Sequence, residues 1–365
     1  MKQIQTIAVL GSGNGAHAVS AYLALKGLEV RLFELPQFFK NLTGVAESKE
    51  ILLEGEAHYT GTGRLAMVTS DIAEAVTGAD CILLPLPAFT HKVYAELLAP
   101  HVQSGQLIVL LPGTLGTLLF QNTFKKLGAA EGVLFAESNS LPFDARLAGP
   151  GKVFSYGMNE PLQLGVFPAK YTDEVLEEVG KLFCFTAAVD VVDCGLNSLN
   201  PIVHTPGCIL NAGRIERSRG EFWLYEEGIT HCVARVMESM DAERLCLLDA
   251  LGYPQHSVAE SLAFGREPRT IWEEIHSSIH LTPIKGPTSV KNRYFTEDIP
   301  YGLVPWSRLG DALGVDTPII DGFIHIGSPI IEQDAWEIGP TLEDFGIAGL
   351  KPSQLLCFLQ DGILP

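Results

Sequence analysis

The short segment from Gly11 to Ala16 constrains the fold of this 365-residue chain more than any other. It follows an apolar strand pattern, Ile7–Leu10, and opens a helical pattern, Ala16–Lys26. In a Gly-x-Gly-x-x-Ala segment at this place, the first glycine permits a tight turn and the second lets the backbone approach a pyrophosphate. The small alanine allows the helix to pack closely on the strand. The segment therefore predicts a dinucleotide-binding βαβ unit, and the alternative is a glycine-rich turn that binds no nucleotide.

An acidic residue stands where such a unit binds the adenosine ribose. Glu34 ends the next strand pattern, Glu29–Glu34, and a carboxylate there can accept from ribose hydroxyls and repel a 2′-phosphate. We therefore predict NAD as the cofactor and keep NADP open, because Arg31 or Lys40 could bind a phosphate. Pro85 ends the third strand pattern, and the loop that follows such a strand approaches the nicotinamide. The predicted cofactor-binding residues are Gly11, Ser12, Gly13, Asn14, Gly15, Ala16, Glu34 and Pro85.

Apolar strand patterns alternate with helical patterns as far as residue 193, which predicts a parallel sheet covered by helices on both faces. After Asp193 the apolar residues recur at helical spacing, most clearly over Ile229–Met240 and on to Leu251-Gly252. We therefore predict an α/β fold with an N-terminal Rossmann dinucleotide-binding domain, residues 1–193, and an all-α substrate and catalytic domain, residues 194–365. The later strands are predicted at Cys81–Pro85, Leu107–Leu111, Val133–Ala136, Val153–Tyr156, Leu162–Val166 and Ala187–Val192, and the later helices at Ile72–Thr77, His91–Leu98 and Thr172–Leu182.

Charge and composition exclude several classes of partner. The formal net charge of −18 argues against nucleic acid and anionic membranes, because those interfaces use clusters of Lys and Arg. No apolar run is long enough to span a bilayer, and the glycine loop interrupts the N-terminal one, so we expect a cytoplasmic protein. The 7 scattered cysteines contain no C-x-x-C pair, which argues against a disulfide framework or a zinc site.

Two of the histidines could bind a metal from one helical face, but a solvated helical face is the favoured interpretation. His276 and His280 are four residues apart with Glu273 nearby, but no third ligand is evident in the sequence. We therefore predict no metal. His91 either lines the cofactor cleft or starts a helix at the surface.

The candidate for proton transfer is His204, which lies in the apolar segment 200–207 just after the predicted domain boundary. An imidazole can exchange a proton near neutral pH, and a neighbouring carboxylate would fix its tautomer. Arg293 can bind a substrate carboxylate in bidentate fashion. A buried histidine satisfied by its neighbours is the alternative. The aspartates that could pair with His204 are Asp298, Asp193, Asp241, Asp311 and Asp316.

Five segments carry a resemblance to a known family. They are Gly11-Ser-Gly-Asn-Gly-Ala-His17, Pro85-Leu-Pro-Ala-Phe-Thr-His91, Leu111-Pro-Gly113, Asn200-Pro-Ile-Val-His204 with Asn211-Ala-Gly213, and Arg293-Tyr-Phe-Thr-Glu-Asp-Ile-Pro-Tyr-Gly302. Together they resemble the octopine/nopaline (opine) dehydrogenase family, bacterial N-(1-carboxyethyl)amino acid dehydrogenases included, over essentially the whole chain. Glu137–Pro142 resembles the family's keto-acid loop only loosely.

The resemblance implies a Rossmann domain and a helical domain with the active site between them. It implies NAD(P)H-dependent reductive condensation of an α-keto acid with the amino group of an amino acid, and the reverse oxidation. It also implies that His204 and Asp298 form the catalytic pair and that Arg293 binds substrate. The expected partners are these small molecules, and a homodimer is the assembly considered.

Two other functions are compatible with the dinucleotide fold. One is a ketopantoate-reductase-like or glycerol-3-phosphate-dehydrogenase-like reductase of a simple keto substrate. Such reductases resemble one another in using a lysine near the start of the helical domain. The segment Asn197–Arg214 contains no lysine. A non-catalytic dinucleotide-sensing protein would have no use for His204, Asp298 and Arg293 together.

Overall fold

The computed structural model describes residues 2–263 and 265–364. Their contacts divide the chain into two compact units. The first contains the residues up to Gly195, Asp344–Gly346 and the segment from Leu356 onward, and the second contains Leu196–Glu343 and Ile347–Leu355. The chain therefore passes into the second unit near the predicted domain boundary, and two C-terminal segments belong to the first.

An eight-stranded sheet forms the framework of the first unit. The strands of this unit are β1 (Thr6–Leu10), β2 (Glu29–Phe33), β3 (Glu50–Gly55), β4 (Gly61–Arg64), β5 (Met67–Thr69), β6 (Cys81–Leu84), β7 (Leu107–Leu110), β8 (Leu134–Ser138), β9 (Phe143–Gly149), β10 (Lys152–Met158), β11 (Leu162–Phe167) and β12 (Phe185–Ala187). The large sheet has the order β12-β11-β8-β7-β6-β1-β2-β5, and only the pairing of β11 with β8 is antiparallel. The central strands β6 and β7 are buried along their whole length, as expected for parallel strands covered on both faces. The predicted α/β architecture is confirmed.

Helices follow most of these strands. Those before the second unit are α1 (Asn14–Leu25), α2 (Thr43–Ser48), α3 (Ile72–Val76), α4 (His91–Leu98), α5 (Gly116–Leu127), α6 (Thr172–Val179) and α7 (Val191–Leu196). Asp71 caps α3 by accepting hydrogen bonds from the Ala73 and Glu74 amides, which satisfies N–H groups that lack an intrahelical partner.

A second sheet, of four strands in the order β4-β3-β10-β9, was not anticipated beyond the strand pattern at Val153–Tyr156. It packs against α1, and Gly63 makes this close approach possible, since a Cβ there would lie 2.6 Å from the Ala21 carbonyl oxygen. The Tyr22 ring of α1 meets the Phe143 ring of β9 edge-on, with centroids 5.2 Å apart.

The strand predicted over Ala187–Val192 is wrong beyond its first residue. β12 ends at Ala187, and α7 begins at Val191. The Asp190 carboxylate accepts hydrogen bonds from the Val192 and Asp193 amides at 2.8 and 3.1 Å. This side chain caps a helix start, so the adjacent valines are buried as helical rather than strand residues.

The second unit is mostly helical, as predicted. Its helices are α8 (Asn200–Ile209), α9 (Ala212–Ser218), α10 (His231–Ala250), α11 (Val258–Leu262), α12 (Ile271–Ser277), α13 (Arg293–Thr296), α14 (Val304–Leu313), α15 (Pro318–Ile331) and α16 (Ala335–Ile338), and the chain ends with α17 (Pro352–Asp361). The helical spacing predicted for residues 229–251 is confirmed by α10, whose Met237, Met240 and Leu247 are fully buried. No helix in the described part of the chain is long and apolar enough to cross a membrane.

A buried charge network joins α10 to the residues that lead into α8. The side chain of Arg244 is completely buried, and its guanidinium pairs with Asp241 at 2.7 Å. It also donates to the Leu196 carbonyl at 3.2 Å and to the Asn197 side-chain oxygen at 3.1 Å. The network fixes the start of the second unit a few residues before His204.

Candidate active site

The turn between β1 and α1 requires glycine at its first position. Gly11 has φ +118°, in the left-handed region, and a Cβ there would lie 2.7 Å from Leu86 Cδ2. Its amide donates to the Phe33 carbonyl at 2.7 Å, which joins the glycine loop to the end of β2.

The N-terminus of α1 is open to an anion. The helix begins at Asn14, earlier than predicted, with Gly13 as its N-cap; among the described residues no side chain caps it, and its first turn carries no acidic residue. A Cβ on Gly13 would meet nothing within 4 Å. The first amides of a helix have no intrahelical partner and carry positive partial charge. This end of the helix therefore fits a pyrophosphate.

The other residues predicted for this loop shape it. Ser12 Oγ accepts from Asn41 at 3.4 Å, and the Asn14 side-chain oxygen accepts from the Leu147 amide of β9 at 3.0 Å. Ala16 is buried, as close helix–strand packing requires. The Asn14 side chain thus anchors the loop to the small sheet, which leaves its backbone to face a ligand.

Pro85 lies against the same loop. A Cβ on Gly15 would be 3.3 Å from Pro85 Cβ, so the chain leaving β6 contacts the first turn of α1. The structure thus brings the predicted residue Pro85 to the predicted loop.

Glu34 lies beside the glycine loop because β1 and β2 pair with Leu10 opposite Phe33, one residue before Gly11 and Glu34 respectively. Its carboxylate is buried. Arg31 is occupied elsewhere, since its guanidinium binds the Glu29 carboxylate at 3.0 Å and the Thr77 carbonyl at 2.8 Å. Lys40 is exposed on the 3₁₀ turn Phe39–Leu42.

His91 starts α4, but the interpretation as a surface residue is wrong. It is buried against Phe120, with ring centroids 6.0 Å apart. Burial lowers its pKa to about 4, although a hydrogen bond to the Leu86 backbone opposes this. The ring is therefore neutral at physiological pH.

The structure brings His204 and Asp298 together from positions far apart in the chain. His204 lies on α8 with 7% of its surface exposed, and its Nδ1 is 2.8 Å from Asp298 Oδ2. Asp298 opens the π-helical turn Asp298–Leu303 that follows α13. A carboxylate can only accept hydrogen bonds, so Nδ1 carries the proton and Nε2 is left for another partner. The pair has the geometry of a histidine that a carboxylate orients for acid–base chemistry.

The other candidate aspartates do not pair with His204. Asp193 accepts from the Val189 amide at 2.8 Å, and Asp241 binds Arg244. Asp311 and Asp316 are exposed on or after α14. Of the five candidate aspartates, Asp298 is the one that lies within hydrogen-bonding distance of His204.

Sequence reasoning missed an aromatic ring on His204. Tyr294, from α13, stacks on the imidazole with ring centroids 3.9 Å apart and planes inclined by 29°. The buried Tyr225 also lies in this neighbourhood, where burial, followed by the charges of Tyr294, Cys208 and Asp298, raises its pKa. The only sequence signal was the position of Tyr294 next to Arg293.

Arg293 begins α13, five residues before Asp298. Desolvation lowers its pKa, but the carboxylates of Glu297 and Asp298 outweigh that effect and raise it above the ordinary value. Its guanidinium forms no ion pair within the residues that the structure describes. A permanent cation in this environment can bind a substrate carboxylate.

The pair of histidines considered for a metal does not share a helical face. His276 lies on α12, and its ring nitrogens are 2.8 and 3.0 Å from the carbonyl oxygens of Trp272 and Glu226. His280 lies beyond the end of the helix at Ser277. Across residues 2–263 and 265–364, no group of three or more His, Cys, Asp or Glu is arranged to hold a metal ion.

Comparisons of sequence relate this chain to opine and octopine dehydrogenases. Residues 187–331 match the family model described as the alpha-helical domain of NAD/NADP octopine/nopaline dehydrogenase. The chain is 36% identical to the opine dehydrogenase of Arthrobacter sp. strain 1C over 96% of its own length and 97% of that protein. It is 26% identical to the octopine dehydrogenase of Pecten maximus over 87% of its own length and 88% of that protein.

Solved structures show the same fold at lower identity. An octopine dehydrogenase with NADH and L-arginine superposes with a TM-score of 0.78 at 21% identity, covering 96% of this chain and 98% of that one. A yersinopine dehydrogenase with NADP⁺ bound gives 0.70 at 13% identity, with 98% of each chain covered. A ketopantoate reductase from Ralstonia eutropha gives 0.62 at 18% identity, covering 90% of this chain and 99% of that one.

Proposed function

The chain belongs to the opine dehydrogenase family, and from this premise we propose that His204, Asp298 and Arg293 carry out its reaction. The enzyme is an NAD(P)H-dependent oxidoreductase acting on CH–NH bonds, which condenses an α-keto acid reductively with the amino group of an amino acid. The observation that carries the proposal is the 2.8 Å contact between His204 Nδ1 and Asp298 Oδ2 in a buried setting.

The reaction needs proton transfer at a defined atom. The amine nitrogen attacks the keto carbon, the carbonyl oxygen leaves as water, and an imine forms. When bound, the reduced cofactor supplies the hydride that reduces the imine carbon. One proton is consumed overall, and the product is a secondary amine. His204 Nε2, which does not face Asp298, donates this proton to the imine nitrogen as its carbon is reduced, and in the oxidative direction it takes the same proton back from the secondary amine.

Asp298 and Arg293 have separate tasks in this proposal. Asp298 holds the proton on Nδ1 and stabilises the imidazolium when His204 is protonated, as the carboxylate of an Asp–His pair does in other enzymes. Arg293 neutralises a substrate carboxylate, and its planar guanidinium can do so with two parallel hydrogen bonds. Both carboxylates of the substrates are retained in the product, so this contact serves both directions.

We propose that the glycine loop holds the cofactor pyrophosphate and that Glu34 binds the adenosine ribose. Support comes from the open N-terminus of α1 at Gly13 and from the position of Glu34 beside Gly11. We likewise propose residues 1–193 as the dinucleotide-binding domain and 194–365 as the catalytic domain.

The first substrates to test follow from the solved relatives. Octopine dehydrogenase structures contain NADH with L-arginine, and NADH with pyruvate. We propose that this enzyme takes a keto acid and an amino acid of these classes. NADH oxidation should be followed with pyruvate, glyoxylate or 2-oxoglutarate, each paired with a panel of amino acids including L-arginine.

Oxidation that requires both partners, with a product whose mass equals the two substrates minus one oxygen atom, supports condensation. Oxidation with a keto acid alone would instead show a simple reductase and would contradict the proposal.

A further inference from the structure

We propose that Tyr94 is a positioning residue for cofactor recognition: its hydroxyl orients the Glu34 carboxylate toward the adenosine ribose and so makes the enzyme favour NADH over NADPH. The inference rests on the proposed role of Glu34. It goes beyond that role because it assigns a task to a residue 60 positions along the chain.

The first support is how the Glu34 carboxylate is held. Its Oε1 accepts two hydrogen bonds, from the Leu35 amide at 2.7 Å and from the Tyr94 hydroxyl at 3.2 Å. Its Oε2 has no hydrogen-bond partner within the described residues. Two donors on one oxygen restrict rotation about the last side-chain bond, and the other oxygen remains available as an acceptor.

The second support is that Tyr94 is buried and that its hydroxyl stays protonated as a donor to Glu34. It projects from α4 with 2% of its surface exposed, and its ring meets the Phe33 ring edge-on with centroids 6.4 Å apart. Burial, and then the negative charge of Glu34, raises the pKa of Tyr94. The phenol therefore keeps its proton and acts as a donor to Glu34 at physiological pH.

The third support is electrostatic. A carboxylate held in place beside the glycine loop repels a 2′-phosphate, whereas it accepts hydrogen bonds from a ribose diol. The cation on the same strand does not offset this repulsion, because Arg31 is bound to the Glu29 carboxylate and to the Thr77 carbonyl. A freely rotating Glu34 could turn away from a phosphate, so fixing it sharpens the discrimination.

The test uses full-length Tyr94→Phe, which removes the hydroxyl and keeps the ring. Binding of NADH and of NADPH should be titrated separately by nucleotide fluorescence, without substrates. We expect the Kd for NADH to rise by about three- to tenfold, the size of one typical net hydrogen bond, because Tyr94 acts on the cofactor only through Glu34. The Kd for NADPH should stay the same or fall. In turnover, KM for NADH should rise more than kcat changes.

Two further variants complete the design. Glu34→Gln removes the charge itself and should reduce the preference for NADH more strongly than Tyr94→Phe. Tyr22→Phe is a matched control, because Tyr22 is equally buried in the first unit but contacts Tyr59, Phe143 and Phe183. It should leave the ratio of the two Kd values unchanged.

The outcomes separate this inference from the proposed function. If Glu34→Gln changes the Kd ratio and Tyr94→Phe does not, the positioning role of Tyr94 is refuted while the role of Glu34 stands. If neither variant changes it, both assignments fail. Equal weakening of NADH and NADPH binding by Tyr94→Phe, with a lower Tm, would indicate a purely structural residue and would also refute the inference.

Discussion

Glu137 should make the first unit less stable as the pH rises through neutrality. This residue of β8 is fully buried, and its carboxylate accepts hydrogen bonds from the Leu115 and Thr117 amides at 2.8 and 2.9 Å. Desolvation is the largest influence and raises its pKa from 4.5 to about 7, with Asp190 adding to the effect and the amide donors opposing it.

The sign and size of the effect follow from linkage. A carboxyl group whose pKa is higher in the folded than in the unfolded protein stabilises the fold fully below the unfolded value, and that stability is lost as the pH rises through the folded value. A shift from 4.5 to about 7 corresponds to roughly 3 kcal/mol in the free energy of unfolding. Between pH 5 and pH 9 the wild-type protein should lose most of this amount from Glu137 alone.

Glu137→Gln tests this because glutamine has the shape of the protonated acid and does not titrate. Urea unfolding followed by far-UV circular dichroism should be measured from pH 5 to pH 9. The glutamine side chain has one acceptor oxygen and cannot accept from both the Leu115 and Thr117 amides, which lowers the stability of the variant by the same amount at every pH. We therefore expect the free energy of unfolding of the variant, relative to wild type, to rise by roughly 3 kcal/mol between pH 5 and pH 9. Glu54→Gln, at an exposed position on β3, is the control and should follow the wild-type curve. A Glu137→Gln curve parallel to wild type would refute the reasoning.

Three further substitutions test the proposed catalytic residues and the buried charge network of Arg244. Asp298→Asn keeps the shape of the His204 partner and removes its charge, so kcat should fall by about 10²- to 10⁴-fold with NADH affinity retained in a fluorescence titration; a kcat near wild type would contradict the pairing. Arg293→Lys keeps the positive charge but loses the bidentate geometry, so KM for a carboxylate substrate should rise by about tenfold in steady-state assays; an unchanged KM would remove Arg293 from substrate binding. Arg244→Met leaves the Asp241 charge buried without its partner. The free energy of unfolding, measured by thermal unfolding, should therefore fall by about 3–5 kcal/mol, and the double variant with Asp241→Leu should regain part of this stability. No recovery in the double variant would argue against an unpaired charge as the cause.

Features that depend on neighbours in sequence could be predicted, and the glycine loop is the clearest example. The strand, the turn and the helix around Gly11 are local, and Glu34 follows from the same βαβ unit. The strand predicted over Ala187–Val192 failed because Asp190 caps a helix there, a local interaction that outweighs the strand preference of paired valines.

Features that depend on contacts between residues far apart in the sequence could not be predicted from residue spacing alone. Asp298 lies 94 residues from His204, and only the family resemblance selected it from five aspartates. Tyr94 on α4 contacts Glu34 after β2, and Tyr294 on α13 contacts His204 on α8. The spacing of residues along one element does not predict contacts between separate elements. The small sheet was missed because β3 and β9 alternate buried with exposed residues only partly.

The most direct test of the account is His204→Ala, with turnover and NADH binding measured on the same preparation. If His204 moves the proton, kcat for the keto acid and amino acid pair should fall by about 10²- to 10⁴-fold, while the Kd for NADH changes little. A variant that turns over at the wild-type rate would remove His204 from the mechanism.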